Sequence, residues 1–141
     1  MTVVGGGPIG CELGQAFSRL GSSVTIVAPR LLPTLDPEAG EAIRATLQSE
    51  GVVVETGKAV SVTKSASGRG HVLKLSSGKT VEGETLLVAV GRKPVTHGMD
   101  LDKIGVELSA NGGIQVLLAW RAPTNRKNVA RWVGDGKGFG G

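Results

Sequence analysis

A glycine-rich turn near the start of the chain constrains the fold more than any other stretch of the sequence. An apolar pattern typical of a buried strand runs into three consecutive glycines, and a helical pattern follows them. The spacing Gly5-x-Gly7-x-x-Gly10 therefore lies between a strand and a helix, the context that a dinucleotide-binding turn requires. The first glycine allows the tight turn, the second lets the backbone approach a pyrophosphate, and the third lets the helix pack closely on the strand. The turn thus predicts a phosphate cradle at a helix N-terminus, where free N–H groups and a partial positive charge favour anions.

Helices and strands alternate after the turn. Residues 8–20 predict a helix, residues 24–27 a compact apolar strand, residues 36–49 a second helix and residues 52–54 a third strand. The apolar face predicted for the first helix consists of Ile9, Leu13, Ala16, Phe17 and Leu20. Strand–helix–strand units of this kind connect parallel strands by right-handed crossovers. The sequence therefore predicts an α/β fold of the Rossmann-like kind, with a parallel sheet and crossover helices.

The hydrophobic period changes after the third strand. Alternating segments at residues 59–62, 71–75 and 80–81 are separated by short polar turns, as in a small antiparallel β-meander. The most apolar strand follows at residues 86–90, and residues 114–116 are expected to add one more strand. The meander is thus predicted as an insertion between parallel strands.

The preference between NADH and NADPH is predicted from the end of the second strand. An acidic residue at that position bonds the 2′-hydroxyl of NAD, whereas a nearby arginine accommodates the 2′-phosphate of NADP. The chain has Ala28 at that position and Arg30 two residues further on, and no carboxylate lies between Ala28 and Asp36. NADPH is therefore favoured over NADH, with Arg30 as the candidate partner of the 2′-phosphate. The alternative for Arg30 is a loop arginine that faces solvent.

The positive charge of the chain is concentrated at its end. The formal net charge is +4, and residues 1–116 contain 11 basic and 11 acidic side chains, so the whole excess belongs to residues 117–141. Such a segment is either a solvated terminal stretch or a nucleic-acid patch. No aromatic interleaving supports base stacking, so no nucleic-acid partner is expected. A basic binding module that acts through residues 117–141 stays open as a non-enzymatic alternative.

Cysteine content and hydropathy limit the remaining classes of function. The chain has a single cysteine, Cys11, which allows neither an intrachain disulfide nor a Cys-based metal cluster nor a redox dithiol. Packing inside a helix is its expected role, and no metal site is expected. No apolar run approaches the length of a membrane helix, so no membrane partner is expected. The N-terminus lacks a secretory pattern, which makes a cytoplasmic location the expectation.

Three motifs in a fixed order resemble a known enzyme family. They are Val-Val-Gly-Gly-Gly-Pro-Ile-Gly-Cys-Glu-Leu-Gly at residues 3–14, Leu-Leu-Pro-x-Leu-Asp-Pro-Glu at 31–38, and Leu-Leu-Val-Ala-Val-Gly-Arg-Lys-Pro at 86–94. Together they resemble the NAD(P)H-binding domain of the FAD-dependent pyridine nucleotide-disulfide oxidoreductases, which include dihydrolipoamide dehydrogenase, glutathione reductase and mercuric reductase. The resemblance covers residues 2 to about 116 and is much more specific than the glycine spacing alone.

The resemblance implies a set of residues around the cofactor. Those residues are Gly5, Gly7, Pro8, Ile9, Gly10, Glu12, Ala28, Arg30, Gly91 and Arg92. In the family the glycines lie against the pyrophosphate, and the acid at the position of Glu12 lies near the nicotinamide and the flavin. Gly91 and Arg92 belong to the segment that closes the domain beside the cofactor. The alternatives are an exposed helix acid for Glu12 and a surface charge for Arg92.

The resemblance also implies that the chain is one module of a longer enzyme. The family's catalytic dithiol, FAD-binding glycine turn and dimerisation domain have no counterpart in this sequence, so no catalytic residue is expected here. Residues 1–95 are the predicted NAD(P)H-binding domain, with a clipped first strand, and residues 96–141 lead back toward an FAD domain.

The match weakens after residue 117, so Asp135 is not expected to bind flavin. In the parent, expected to be a homodimer, hydride would pass from the nicotinamide to FAD, and the isolated module is expected to be inactive. An FAD-binding Rossmann domain of another flavoprotein is the enzymatic alternative.

Overall fold

The structure is a computed structural model that describes residues 1–116. The described residues belong to two compact units, Met1–Gly91 and the segment from Arg92 onward. The elements of the first unit are β1 (Thr2–Val4), α1 (Pro8–Arg19), β2 (Thr25–Ala28), α2 (Pro37–Ser49), β3 (Val53–Thr56), β4 (Ala59–Lys64), β5 (His71–Leu75), β6 (Thr80–Gly83) and β7 (Leu86–Val88). The sequence-based expectations for the basic segment and for Asp135 fall on residues 117–141, outside the described part.

Four strands form a parallel sheet in the order β3-β2-β1-β7. The central strand β1 pairs on one side with β2, Val3 opposite Ile26, and on the other side with β7, Val3 opposite Leu87. Helix α1 connects β1 to β2, and α2 connects β2 to β3. The predicted Rossmann-like α/β fold, with its parallel sheet and crossover helices, is therefore confirmed.

A three-stranded antiparallel sheet, β4-β5-β6, occupies the connection between β3 and β7. Its inward side chains, Leu73, Leu75 and Val81, form a second core cluster with Val27 of the parallel sheet. The predicted meander is present, and it replaces the helix that usually connects parallel strands. It also brings the chain to the side of β1 opposite β2, where β7 pairs with β1 in parallel.

Helix α1 packs on the sheet through its small residues rather than its large ones. Its buried residues are Gly10, Cys11 and Gly14. A Cβ atom at Gly14 would lie 2.9 Å from Cδ1 of Ile26, so the helix backbone runs very close to β2. The apolar face predicted for this helix points away from the sheet, and Phe17 remains 39% exposed. The prediction found an apolar face but not the packed one, because close helix–sheet contact selects small side chains.

The two helices are joined at their C-terminal ends by a polar cluster. Glu50, the C-cap of α2, accepts hydrogen bonds from Arg19 Nε at 2.7 Å and Nη2 at 2.6 Å and from Gln15 Nε2 at 2.9 Å. Ser18 Oγ donates to the backbone carbonyl of Glu50 at 3.1 Å. The hydrogen bond from Arg19 lowers the pKa of the Glu50 carboxyl below its ordinary value. This cluster thus connects α1 to α2 at the end of the sheet opposite the glycine turn.

The second unit is short and mostly irregular over its described residues. It contains a single turn of 3-10 helix at Leu101–Ile104 and one antiparallel bridge, between Leu108 and Ile114. The strand expected at residues 114–116 is therefore wrong: only Ile114 is bridged, to Leu108, and the amide of Gln115 donates one further backbone hydrogen bond, to the carbonyl of Glu107 at 2.9 Å. The predicted boundary near residue 95 stays a prediction. Over the part of the chain that is described, no helix has the length and apolarity needed to cross a membrane.

Candidate nucleotide-binding site

The glycine turn connects β1 to α1 at the carboxyl edge of the parallel sheet. Gly5 has a φ of 120°, which side chains rarely adopt, and a Cβ atom there would collide with the carbonyl oxygen of Ala89. A Cβ atom at Gly10 would collide with the carbonyl oxygen of Gly5. The first and third glycines of the motif are therefore required by the protein itself, for the turn and for the close approach of the helix.

Gly7, the second glycine of the motif, has a different environment. It is the N-cap of α1, with φ −73° and ψ 177°, and apart from Gly7 itself and its two chain neighbours no atom of residues 1–116 lies within 4 Å of the position that its Cβ would occupy. Pro8 follows at the first helical position, and the first turn of α1 contains no acid. Within residues 1–116 the amides of Ile9 and Gly10 have no backbone acceptor. The turn thus presents an open backbone and unpaired N–H groups, the features that bind phosphate at a helix N-terminus.

Gly6 connects this turn to the loop after β2, a role that the motif spacing does not predict. A Cβ atom at Gly6 would lie 2.5 Å from the carbonyl oxygen of Arg30 and 2.7 Å from Cβ of Ala28. The carbonyl oxygen of Gly6 accepts a hydrogen bond from the amide of Leu32 at 2.7 Å. The motif spacing leaves this position unrestricted, so the only sequence signal was a glycine beyond those the motif needs.

Ala28 and Arg30 follow β2 beside the glycine turn. Ala28 is buried, at 2% exposure, and its carbonyl accepts a hydrogen bond from the amide of Gly57 at 3.1 Å. Nη2 of Arg30 lies 3.0 Å from the carbonyl oxygen of Pro33 and 2.5 Å from that of Leu35. Arg30 therefore folds back on its own loop, an arrangement that neither of the two sequence-based interpretations contained.

Cys11 and Glu12 lie in the first half of α1. Cys11 is buried, and its Sγ lies 3.6 Å from the carbonyl oxygen of Gly6 as a weak donor. Burial raises the pKa of the Cys11 thiol, and the neighbouring Glu12 carboxylate raises it further. The thiol therefore stays protonated and packs as a small side chain, while Glu12 is exposed on the helix surface.

Gly91 and Arg92 mark the change from the first unit to the second. Gly91 ends the first unit with a φ of 122°, shortly after Ala89, whose amide donates to the carbonyl of Val4 at 2.7 Å. Arg92 begins the second unit and is exposed. The first unit thus brings Gly91 to the same edge of the sheet as the glycine turn.

The candidate residues of the first unit meet at one edge of the sheet. Because β1, β2 and β7 are parallel, the turn after β1, the loop after β2 and the segment after β7 all leave from their carboxyl ends. The chain runs from β1 toward β2 on one side and reaches β7 on the other, so a topological switch point lies beside β1. Ligands of open α/β sheets bind in the crevice at such a point. Among residues 1–116 no group of three His, Cys, Asp or Glu side chains is arranged to hold a metal ion.

The fold and this edge define a Rossmann-like α/β domain of the class found in dinucleotide-dependent oxidoreductases. The sequence model described as pyridine nucleotide-disulphide oxidoreductase matches residues 1–129. The chain therefore belongs to the pyridine nucleotide-disulphide oxidoreductase family, and the predicted resemblance is confirmed.

Individual relatives are oxidoreductases as well. The chain is 43% identical over 122 residues to a dihydrolipoyl dehydrogenase of Thermus scotoductus, a match that covers 82% of this chain and 26% of the relative. It is 38% identical over 120 residues to a mercuric reductase of Bacillus cereus, covering 82% of this chain and 19% of the relative. The solved structure of a water-forming NADH oxidase of Lactobacillus brevis bound to NADH superposes with a TM-score of 0.70 and 29% identity, over 86% of this chain and 26% of that one. The chain thus spans about a quarter or less of the length of these relatives.

Proposed function

We propose that this chain holds NAD(P)H for a flavin-dependent oxidoreductase, with the pyrophosphate on the turn between β1 and α1. The open position at Gly7 is the observation that supports the proposal most directly. The first and third glycines of the motif, Gly5 and Gly10, are required by packing. At Gly7, by contrast, the described chain has no atom within 4 Å of the missing side chain apart from Gly7 itself and its two chain neighbours. A glycine that the fold itself does not need is explained by the close approach of a ligand. The bound NADH reported for the Lactobacillus brevis oxidase is consistent with this assignment.

The other candidate residues have proposed roles around the same nucleotide. The amides of Ile9 and Gly10 bind the phosphate oxygens, and Glu12 on the exposed side of α1 faces the nicotinamide. Gly91 and Arg92 close the domain beside the cofactor. The nicotinamide supplies the hydride, and the protein's part is to bind and orient it toward the flavin of the complete enzyme. A homodimeric parent and FAD as the hydride acceptor belong to the same proposal.

We further propose that NADPH binds more tightly than NADH. Ala28 puts no carboxylate at the end of β2, so nothing at that position repels a 2′-phosphate or selects a 2′-hydroxyl. Arg30 is the one cation between β2 and α2. Its Nη2 is engaged by loop carbonyls, which leaves Nη1 for the phosphate. The expected result in calorimetry is tighter binding of 2′,5′-ADP than of 5′-AMP, with Arg30→Ala narrowing the difference, and equal affinities in the wild-type chain would contradict the preference.

The Gly7→Asp variant tests the pyrophosphate site. Aspartate is a favourable N-cap residue and its charge suits a helix N-terminus, so the variant is expected to be at least as stable as the wild type. The same carboxylate would occupy the phosphate position and repel it, so the Kd for NADPH and for NADH should rise by more than about tenfold. Calorimetric titration together with a thermal unfolding curve measures both effects.

The matched control is Gly7→Asn, which has the same shape without the charge and is also a good N-cap. We expect Asn to weaken binding less than Asp does. If Gly7→Asp binds the nucleotides as tightly as the wild type, the pyrophosphate does not lie on this turn and the proposed function is wrong.

A further inference from the structure

The loop between β2 and α2 has a fixed backbone shape. Leu32 adopts a left-handed conformation with a φ of 44°, which is uncommon for a residue with a branched side chain. Its amide donates to the carbonyl of Gly6 at 2.7 Å, and its own carbonyl accepts from the amide of Leu35 at 2.9 Å. The loop is therefore tied to the glycine turn at one point and closed on itself at another.

The side chain of Arg30 hydrogen-bonds to several carbonyls of this loop. Nη2 of Arg30 reaches the carbonyl oxygens of Leu32, Pro33 and Leu35, at 3.5, 3.0 and 2.5 Å. Nε of Arg30 is buried and has no hydrogen-bond partner within the described residues. Since hydrogen bonds from a charged donor are stronger than neutral ones, the guanidinium is well suited to hold these carbonyls in one arrangement.

Neighbouring backbone leaves the loop little room to move as a whole. A Cβ atom at Gly6 would lie 2.5 Å from the carbonyl oxygen of Arg30, and a Cβ atom at Gly40 would lie 2.8 Å from that of Leu31. The side chain of Leu31 is 1% exposed in the main core. The first part of the loop is thus packed between the glycine turn and α2, and the hydrogen bonds of Arg30 reach the remainder.

We propose that Arg30 is a positioning residue that holds residues 31–35 in the shape needed to contact the adenosine half of the nucleotide, whether or not a 2′-phosphate is present. The proposal rests on the proposed function, because the end of the second strand of such a domain faces the adenosine ribose. A pre-formed loop removes an ordering cost from binding. Arg30 would then contribute to affinity for NADH as well as to affinity for NADPH.

The experiment compares Arg30→Ala and Arg30→Lys with Arg69→Ala, a control that removes the same charge from the exposed turn between β4 and β5. Amide hydrogen exchange without nucleotide reports on the loop itself. We expect Arg30→Ala to speed exchange at the amides of Leu32 and Leu35 by about tenfold or more, since local opening becomes easier. Lysine carries three N–H donors that can reach the same carbonyls, so Arg30→Lys should restore most of the protection. Arg69→Ala should change nothing.

Calorimetry with 5′-AMP, which lacks a 2′-phosphate, measures the consequence for binding. The Kd of Arg30→Ala for 5′-AMP is expected to rise about fivefold, with partial rescue in Arg30→Lys and no change in Arg69→Ala. Unchanged exchange in Arg30→Ala would overturn the proposal, and so would unchanged 5′-AMP affinity combined with a loss confined to 2′,5′-ADP. If the wild-type chain binds neither nucleotide, the proposed function is wrong, while faster exchange in Arg30→Ala would still establish the role of Arg30 in ordering the loop.

Discussion

Two glycines of helix α1, Gly10 and Gly14, are close-packed against different kinds of neighbour. The missing side chain of Gly10 faces a backbone carbonyl, that of Gly5, whereas the missing side chain of Gly14 faces Cδ1 of Ile26. A carbonyl within a tight turn cannot move without changing the turn, but the end of an isoleucine side chain can rotate. The same substitution at the two positions therefore compares the stability cost of a clash with rigid backbone and that of a clash with a movable side chain.

We expect Gly10→Ala to lower the free energy of unfolding by about 2 kcal/mol, the usual effect of forcing extra volume into a packed site. Gly14→Ala should change it by less than about 1 kcal/mol, because displacement of Ile26 is offset by the better helix propensity of alanine. Urea unfolding followed by circular dichroism measures both. Equal losses at the two positions would show that the carbonyl of Gly5 is not the rigid neighbour described here.

The sequence was sufficient to predict Gly5 as the residue of the tight turn and Gly10 as the position where the helix packs closely on the strand, because the motif spacing carries that information. It was insufficient for Gly6 and Arg30. The closeness of Gly6 to Ala28 and the hydrogen bonds from Arg30 to its own loop depend on how two distant segments pack. No periodicity or spacing in the chain encodes that arrangement.

At the scale of elements, α1 shows why hydrophobic periodicity is an incomplete guide. The periodicity of Leu13 and Phe17 is real, yet both are more than a third exposed, at 38% and 39%. A helix that crosses directly over a parallel sheet packs better with small residues, and Gly10, Cys11 and Gly14 provide them. The strands of the first unit and the boundaries of α2 were predicted to within a few residues because turn residues and helix-starting residues are local signals. The packed face of a helix, by contrast, is decided by its neighbours.

Substitution of an exposed apolar residue of α1 and of a buried apolar residue of α2 should show which of the two side chains is packed. Phe17→Gln is expected to change the free energy of unfolding by less than about 1 kcal/mol, as for other partly exposed positions. Leu47→Ala, at a residue of α2 that is 2% exposed, is expected to cost about 2–5 kcal/mol because it leaves a cavity in the core. Both are measured by urea unfolding. A loss above about 3 kcal/mol for Phe17→Gln would mean that the apolar face of α1 is packed after all.

The contact between Arg19 and Glu50 predicts a pH dependence at the junction of the two helices. The folded-state pKa of Glu50 is lowered, so its contribution to stability is present above the pKa of an unfolded glutamate, about 4.3, and is lost as the pH falls through the lower folded-state value. The stability difference between the wild type and Glu50→Gln should therefore be constant above about pH 5.5 and shrink below about pH 4. The stability difference between the wild type and Arg19→Met should depend on pH in the same way, since this variant removes the hydrogen-bond donor to Glu50. A difference that grows as the solution is acidified would contradict the assignment.

At the scale of the whole molecule, the chain contains the proposed nucleotide-binding edge and spans only about a quarter of the length of its relatives, 26% of the dihydrolipoyl dehydrogenase from Thermus scotoductus. Hydride transfer needs two cofactors side by side, and the proposed function assigns only one of them to this chain. The flavin and the residues that face it would come from the remainder of a complete enzyme.

We therefore expect the purified chain to bind NADPH without retaining flavin and without oxidising the nucleotide. Absorbance near ~450 nm reports bound flavin, since the isoalloxazine is the chromophore, and the decrease of nicotinamide absorbance reports turnover. A chain that purifies with stoichiometric flavin would instead support the alternative of an FAD-binding Rossmann domain.

The contact between Gly5 and Ala89 has a consequence for how the binding site comes into existence. The turn is near the beginning of the first unit, but Ala89, whose carbonyl lies against Gly5, directly follows β7, the last strand of that unit along the chain. Contacts between such distant segments form late, because the intervening chain must first be ordered. A nucleotide is then a reporter of completed folding: during refolding, and during synthesis on the ribosome, affinity should arise only with the docking of β7, after the meander has formed.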